Sequence, residues 1–285
     1  MNSYIKKVLS FFLYYSGILQ LIFKYTLNKK NIRVINYHCT PLNFQKNFIK
    51  QLQFYKKYFT NINIDDLNNY ITVKDYNLNK SGLIISFDDG LRSNYDYALP
   101  ILNNYNFTGW FFLPAGIIID NSYTFIKNNS INTNETYIDN RYFINQEELN
   151  YLKNYHIVGC HTFSHHRFNK NDSDELLTHE IVNSKKFLEN ITNTKFDIFC
   201  WVGGEINTYT NKAYNKIKNA GYKYAFTTNN LPIQRNQDSL NLNRTNIESY
   251  YSIPEVMFQL SGIMDIFYYR KRKKVKTIFE QDVIN

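Results

Sequence analysis

Short apolar runs and longer amphipathic stretches alternate along most of the chain. Runs rich in β-branched and aromatic residues at 32–37, 82–87, 108–113, 156–160, 196–202, 222–227 and 242–247 predict seven strands. Stretches of helical periodicity at 44–58, 95–104, 146–154, 173–190 and 211–220 lie between them. Asn145-Gln146-Glu147-Glu148 and Ser173-Asp174-Glu175 pair a polar cap with an acidic first turn, and Gly221 follows a helix as a stop. Strands alternating with helices predict an α/β fold with a mainly parallel sheet, either a barrel or a doubly wound sheet. Residues 117–143 are polar and unpatterned and read as an inserted surface loop, a lid over a site. No repeat or linker divides the chain, so one main domain is expected.

The two ends break this pattern. The apolar run 8–23 is interrupted by Ser10, Ser16, Gly17 and Gln20, and is shorter than the about 20 apolar residues of a bilayer span. On a single helical wheel Ser3, Lys6, Lys7, Ser10, Gly17, Gln20 and Lys24 gather on one side. Ile5, Val8, Phe11, Phe12, Tyr15, Ile18, Leu19, Ile22 and Phe23 occupy most of the other. Residues 1–30 are therefore expected to form an amphipathic helix at a membrane interface. A short anchor, a signal peptide (without a small-residue cleavage site) and plain packing onto the domain are the alternatives. Residues 264–285 read as a basic tail, with six basic residues in the seven positions 270–276 beside Phe267, Tyr268 and Tyr269. A lone basic run is most simply a solvated tail. The aromatic neighbours and the N-terminal helix favour an anionic membrane surface over nucleic acid, for which no recognition motif is present.

Composition narrows the class. The 285 residues are 44 % apolar, which excludes wholesale disorder, and 10 Gly with 5 Pro exclude a collagen-like chain. Three unpaired-looking Cys exclude a disulfide scaffold and suit a reducing compartment. A net charge of +9 points to an anionic partner: nucleic acid, a membrane surface or a phosphorylated substrate. The expected location is cytoplasmic and peripheral at the membrane, with a membrane-anchored or exported protein as the alternative.

Four chemistry-bearing clusters each lie at the end of a predicted strand: His38 at 32–37, Asp88-Asp89-Gly90 at 82–87, His161-Thr-Phe-Ser-His165-His166 at 156–160, and Trp201-Val202 leading into the Gly203-Gly204 turn at 196–202. In parallel α/β folds ligands bind at the carboxyl ends of strands. Singly, each has a plain reading. Asp-Asp-Gly is ordinary turn chemistry, His161 and His165 could be surface residues, and His38 could be a buried, hydrogen-bonded core histidine. Together they suggest a metal site. His161 and His165, four apart, can share one side of a turn, and with Asp89 they make a two-His, one-carboxylate set for Zn2+ or another divalent transition metal. Asp88, kept ionised beside a cation, would act as base, and His38, at a strand end, as acid. Trp201 could stack on a sugar or lie in the core; Arg244 could orient Asp88 or pair on the surface. Cys39, Cys160 and Cys200 neighbour these clusters, with buried packing favoured over metal ligation.

Phe-Asp-Asp-Gly followed by His-Thr-x-x-His resembles the NodB-type polysaccharide deacetylases of carbohydrate esterase family 4, over residues 32–263. Asn36-Tyr37-His38, Leu91-Arg92-Ser93 after the Asp-Asp-Gly, and Ala220-Gly221-Tyr222 resemble the circularly permuted subgroup that contains the poly-N-acetylglucosamine deacetylases. The resemblance implies a distorted (β/α) barrel of about seven parallel strands over 31–263. It implies Asp88 as base, Asp89, His161 and His165 as metal ligands, His38 as acid, and Thr162 bridging the metal loop by a hydrogen bond. The third motif departs from the family's Tyr-Pro-Tyr-Gly-like turn; Gly203 stands where the oxyanion-binding N–H belongs, without the flanking proline and aromatic.

The expected function is metal-dependent removal of an acetyl group from an N-acetylated sugar in a polysaccharide or lipid-linked glycan. A catalytically weak glycan-binding member of the fold, and a nucleic-acid-binding basic protein, are the alternatives.

Overall fold

The computed structural model of the protein describes residues 3–73, 76–133 and 135–280. Its strands are β1 (Ile32–Tyr37), β2 (Thr60–Asn61), β3 (Gly82–Phe87), β4 (Gly109–Leu113), β5 (Ile157–Cys160), β6 (Ile198–Cys200), β7 (Tyr224–Thr227), β8 (Leu242–Asn243) and β9 (Thr245–Asn246). They pair in the order β8-β7-β6-β5-β4-β3-β1-β9, with β2 on β3, and every strand pairing is parallel. β8 and β9 are one extended segment broken at Arg244. It pairs with β7 at one edge and β1 at the other, so the sheet nearly closes into the expected barrel of seven parallel strands.

Strand residues alternate between two cores. Ile32 and Val34, Ile84, Trp110 and Phe112, Ile198, Phe226 and Leu242 meet inside the barrel. Ile35 and Tyr37, Leu83, Ile85 and Phe87, Phe111 and Phe199 face the surrounding helices. Burial on both faces explains the nearly continuous apolar runs. Towards the carboxyl ends the same inward positions turn polar: Asn36, Ser86, Asp88 and Arg244 follow Val34, Ile84 and Leu242 at a spacing of two.

The helices are α1 (Ser3–Tyr15), α2 (Ile18–Leu27), α3 (Gln45–Tyr58), α4 (Ile64–Thr72), α5 (Leu99–Asn104), α6 (Tyr123–Asn128), α7 (Gln146–Tyr155), α8 (Asp174–Leu177), α9 (Ser184–Thr192), α10 (Asn211–Asn219), α11 (Ile253–Leu260), α12 (Ile263–Phe267) and α13 (Tyr269–Glu280). Asn145 and Glu148 form a reciprocal capping box, the Ser173 hydroxyl accepts from Leu176 N–H, and Gly221 takes φ +77° after α10. A π-helical stretch, Thr178–Asn183, joins α8 to α9.

Several expectations are corrected. Residues 117–143 are not simply a surface loop: Phe125, Ile126, Ile131, Tyr142 and Phe143 are buried, and α6 forms within the segment (Asn134 lies outside the described residues). The predicted strand at 196–202 shortens to three residues. Residues 1–30 do not form one helix. Gly17, at φ +79°, breaks the run into α1 and α2, which meet at 90°. No single described helix is long and apolar enough to cross a membrane, although this bent pair has the length and composition. The basic end is not a solvated tail. α13 buries Val275 and Phe279, Lys271 donates to Thr228 O, and Arg272 donates to Asn229 O and Asn230 O. The buried Arg33 guanidinium on β1 pairs with Asp265 of α12 at 2.8 Å. Residues 1–2 and 281–285 of the two predicted end segments lie outside the described residues.

Candidate metal and catalytic site

Asp88 and Asp89 leave β3 at its carboxyl end, and Asp89 takes φ +67°. That turn points the two neighbours apart. Gly90, at φ +63°, completes it; a Cβ there would meet Ile117 Cδ1 at 2.5 Å, so only glycine fits. The loop after β5 holds two further non-glycine residues in the left-handed region, Thr162 and His165. Such backbone persists where surrounding contacts over-determine it. Here the Glu180 carboxylate, buried beneath the loop, accepts from Phe163 N–H, Ser164 N–H and the Ser164 hydroxyl at 2.7–2.9 Å. Thr162 Oγ1 accepts from His166 N–H at 3.0 Å, the loop-bridging bond expected of it.

These turns bring His161 Nε2 to 3.4 Å and His165 Nε2 to 3.0 Å from the same atom, Asp89 Oδ1. Each Nδ1 lies 2.9 Å from a backbone carbonyl, Cys200 O for His161 and Asn129 O for His165. Nδ1–H donation to those carbonyls leaves both Nε2 lone pairs aimed at a buried carboxylate oxygen that has no hydrogen-bond donor of its own. Three buried electron-pair donors converging within 4.8 Å fit a divalent cation. Burial alone would raise Asp89, but His165 and His161 outweigh it and hold the carboxyl well below its ordinary range. Burial would lower His165, and Asp89 reverses that to a net rise.

Asp88 faces the barrel interior. Arg244, fully buried at the β8–β9 break, clasps it with Nη1–Oδ1 at 2.6 Å and Nη2–Oδ2 at 2.8 Å, and Nη1 also donates to Ser86 Oγ at 3.1 Å. Burial pushes the Asp88 carboxyl up, but the Arg244 guanidinium and His161 outweigh it and hold it below its ordinary value. The choice left open for Arg244 is thereby settled: it is not a surface salt bridge. Asp88, His161 and Cys200 form a second convergent group. Burial pushes the Cys200 thiol well above its ordinary value, and Asp88 is already bound to Arg244, so the Asp89 set is the better cation site. Burial raises Cys39, which lines the cavity, and the fully buried Cys160 to about 12, away from the thiolate form that ligates a metal.

A cavity of about 520 Å³ opens over this cluster and is lined by Asp88, Asp89, His161, His165, His38 and Gly203, among others. His38 is partly exposed at the end of β1, where its carbonyl accepts from Asn94 Nδ2. Gly203 has φ +81°, and among the described residues nothing occupies its N–H. Trp201 is the one predicted site residue that the structure places elsewhere. It is 1 % exposed, stacks on Phe279 of α13 at 5.2 Å, and packs edge-on to Phe168 and Tyr209. Of the two places the sequence allows it, the structure puts Trp201 in the core, covered by α13.

Three contributors escaped the sequence reading. Glu180 carries a legible signal, an acid at a core-facing position in line with Leu177, Ile181 and Leu188. Glu248 lines the cavity; burial raises its carboxyl, and His38 opposes that. Lys271 reaches the cavity from α13, and burial lowers it to about 8. The placement of Glu248 and Lys271 depends on the β9–α11 connection and on α13, whose folding onto the barrel has no sequence signature.

The sequence model of the family described as polysaccharide deacetylase matches residues 75–225, more than half of the chain. That span holds Asp88, Asp89, His161, His165 and Gly203, and leaves out His38 and Arg244. No curated protein sequence matches the chain. Among solved structures, the Streptococcus pyogenes deacetylase PplD, in complex with acetate, is similar with TM-score 0.62 and 18 % identity, covering 81 % of this chain and 97 % of its own. IcaB from Ammonifex degensii is similar with TM-score 0.59 and 15 % identity, over 83 % and 97 % of the two chains. A de-N-acetylase from Aggregatibacter actinomycetemcomitans is similar with TM-score 0.63 and 15 % identity, over 80 % and 99 %. At these identities the likeness establishes the barrel fold.

Proposed function

Because the chain belongs to the polysaccharide deacetylase family, hydrolases of N-acetyl amide bonds, we propose that it removes the acetyl group from an N-acetylated sugar of a glycan at the cavity over β1, β3, β5 and β6. The observation that carries this reading is the pairing of two unlike carboxylates: Asp88 clamped by Arg244, and Asp89 facing two histidine lone pairs, on adjacent residues.

Asp89, His161 and His165 would hold a divalent transition metal, with Zn2+ the first candidate for two nitrogens and one carboxylate. Such an ion, when bound, supplies acidification of a water and polarisation of the acyl oxygen. The chain's own residues do the rest. Asp88, kept ionised by Arg244, accepts the proton of the attacking water. The Gly203 N–H faces the negative charge that develops on the acyl oxygen; the altered third motif keeps this donor while losing its neighbouring proline. His38, which lines the same cavity, gives a proton to the departing amine. Glu248 lines the cavity too.

The test is amine release from N-acetylglucosamine oligomers by protein reconstituted with metal. Chelation should abolish release and re-addition restore it. Asp88→Asn and His38→Ala should each lower kcat by about 10²–10⁴ with metal binding retained. Release that survives chelation and both substitutions contradicts the mechanism. Tight glycan binding with no release by the metal-loaded protein supports the binding-only alternative.

A further inference from the structure

We propose that α1 and α2 form an in-plane dock for a bilayer surface carrying anionic lipid, beside the mouth of the cavity. The observation is a second apolar face, turned to solvent. A helix on a soluble protein turns its apolar stripe inward. On α1 the inward side packs Leu9, Leu13 and Tyr14 against the core beside fully buried Ser10 and half-buried Lys6, while Ile5, Val8, Phe12 and Tyr15 stand 51–77 % exposed. α2 continues the apolar face with Leu21 and Tyr25, 71 % and 67 % exposed.

The two helices are held rigidly in this pose. Leu19 and Phe23 enter the core, with Phe23 against Phe54, Tyr58 and Phe59. Gln20 Nε2 donates to Tyr14 O across the bend, and Thr26 Oγ1 donates to Ser261 O. The right angle at Gly17 spreads the apolar face over a plane, which suits an interface better than a span. Exposed Tyr and Phe suit the headgroup level.

Charge selects the occupant. The first 64 residues contain ten Lys or Arg and no Asp or Glu, so this stretch carries the chain's whole excess of positive charge. Lys7 and Lys24 are exposed on α1 and α2, and α3, packed beside α2, exposes Lys46, Lys50 and Lys57. A second copy of the chain seated on this face would set two such stretches against each other. An anionic surface complements them, at roughly 1 kcal/mol per basic residue near the bilayer. Tyr250 borders both the groove at the start of α1 and the catalytic cavity, so the dock lies next to the mouth. The proposal does not depend on the hydrolytic reading.

The experiment is co-sedimentation of the full chain with phosphatidylcholine vesicles, with and without phosphatidylglycerol. The intact chain should pellet with the phosphatidylglycerol vesicles at low salt and be partly released by high salt. A Phe12→Asn, Tyr15→Asn, Leu21→Asn variant, with an unchanged circular dichroism spectrum, should partition at least about tenfold more weakly. A Lys46→Gln, Lys50→Gln, Lys57→Gln variant should lose about tenfold for the anionic vesicles and most of the salt sensitivity. Three results overturn the proposal: no binding of the intact chain to phosphatidylglycerol vesicles at low salt; equal binding by the apolar variant; or, in light scattering, a stable dimer that the apolar variant disperses.

Discussion

Asp88 and Asp89 show how one peptide step divides two chemical roles. Asp88 continues the inward side of β3 and meets Arg244; Asp89, turned by its positive φ, meets the two histidines. Both carboxylates were legible as candidates, because acids and histidines after predicted strands are where parallel α/β folds bind ligands. The direction of each was not, since it depends on backbone geometry at a single residue. Arg244→Met would leave Asp88 buried without its partner, so unfolding in denaturant should show a loss of about 3–5 kcal/mol. Amine release should fall with it as Asp88 regains a proton; an unchanged unfolding midpoint would show that the clasp is not formed. Trp201 tests the correction made above. Trp201→Ala should cost about 3–5 kcal/mol of stability. Trp201→Phe should leave KM for the glycan unchanged. A raised KM in a fully stable Phe variant would put the indole back in the sugar site.

At the scale of elements, the strands and capped helices were readable because each has a local cause: β-branched runs, Asn145 with Glu148, Ser173, and Gly221. α11 (Ile253–Leu260) was missed although it has a local cause too, a capping box between Ser252 and Glu255 with Pro254 in the first turn. The 242–247 run reads as one strand, yet it splits at Arg244, which serves both edges of the barrel. The Glu180 carboxylate, turned under the metal loop within the π-helical stretch, marks a second place where function overrides the regular pattern. His156, just before β5, gives a pH dependence at this scale. Its Nδ1 accepts from the Gly109 N–H that begins β4, and burial lowers it from 6.5 to about 4. Its folded pKa lies below the unfolded one, so its contribution to stability is complete above pH 6.5. That contribution declines as the pH falls towards 4, because the unfolded chain takes up the proton first. Melting temperatures measured between pH 7 and pH 4 should fall with this profile, and His156→Gln should flatten it.

At the scale of the molecule, the barrel gathers residues from widely separated segments into one cavity, and the interior shifts from apolar to polar at the same end. The sequence supplied the seven strands and the residues that follow them. It could not supply the closure through 242–246, the folding of α13 across Trp201, or the outward turn of the apolar face of α1 and α2, because each depends on contacts between distant parts of the chain. The central claim is that Asp89, His161 and His165 together form a cation site. Elemental analysis of the purified protein beside a His165→Ala variant measures this without any choice of substrate. The account predicts about one divalent transition metal per chain, lost in the variant. Failure of the intact protein to retain metal after reconstitution, or full retention by the variant, would contradict it.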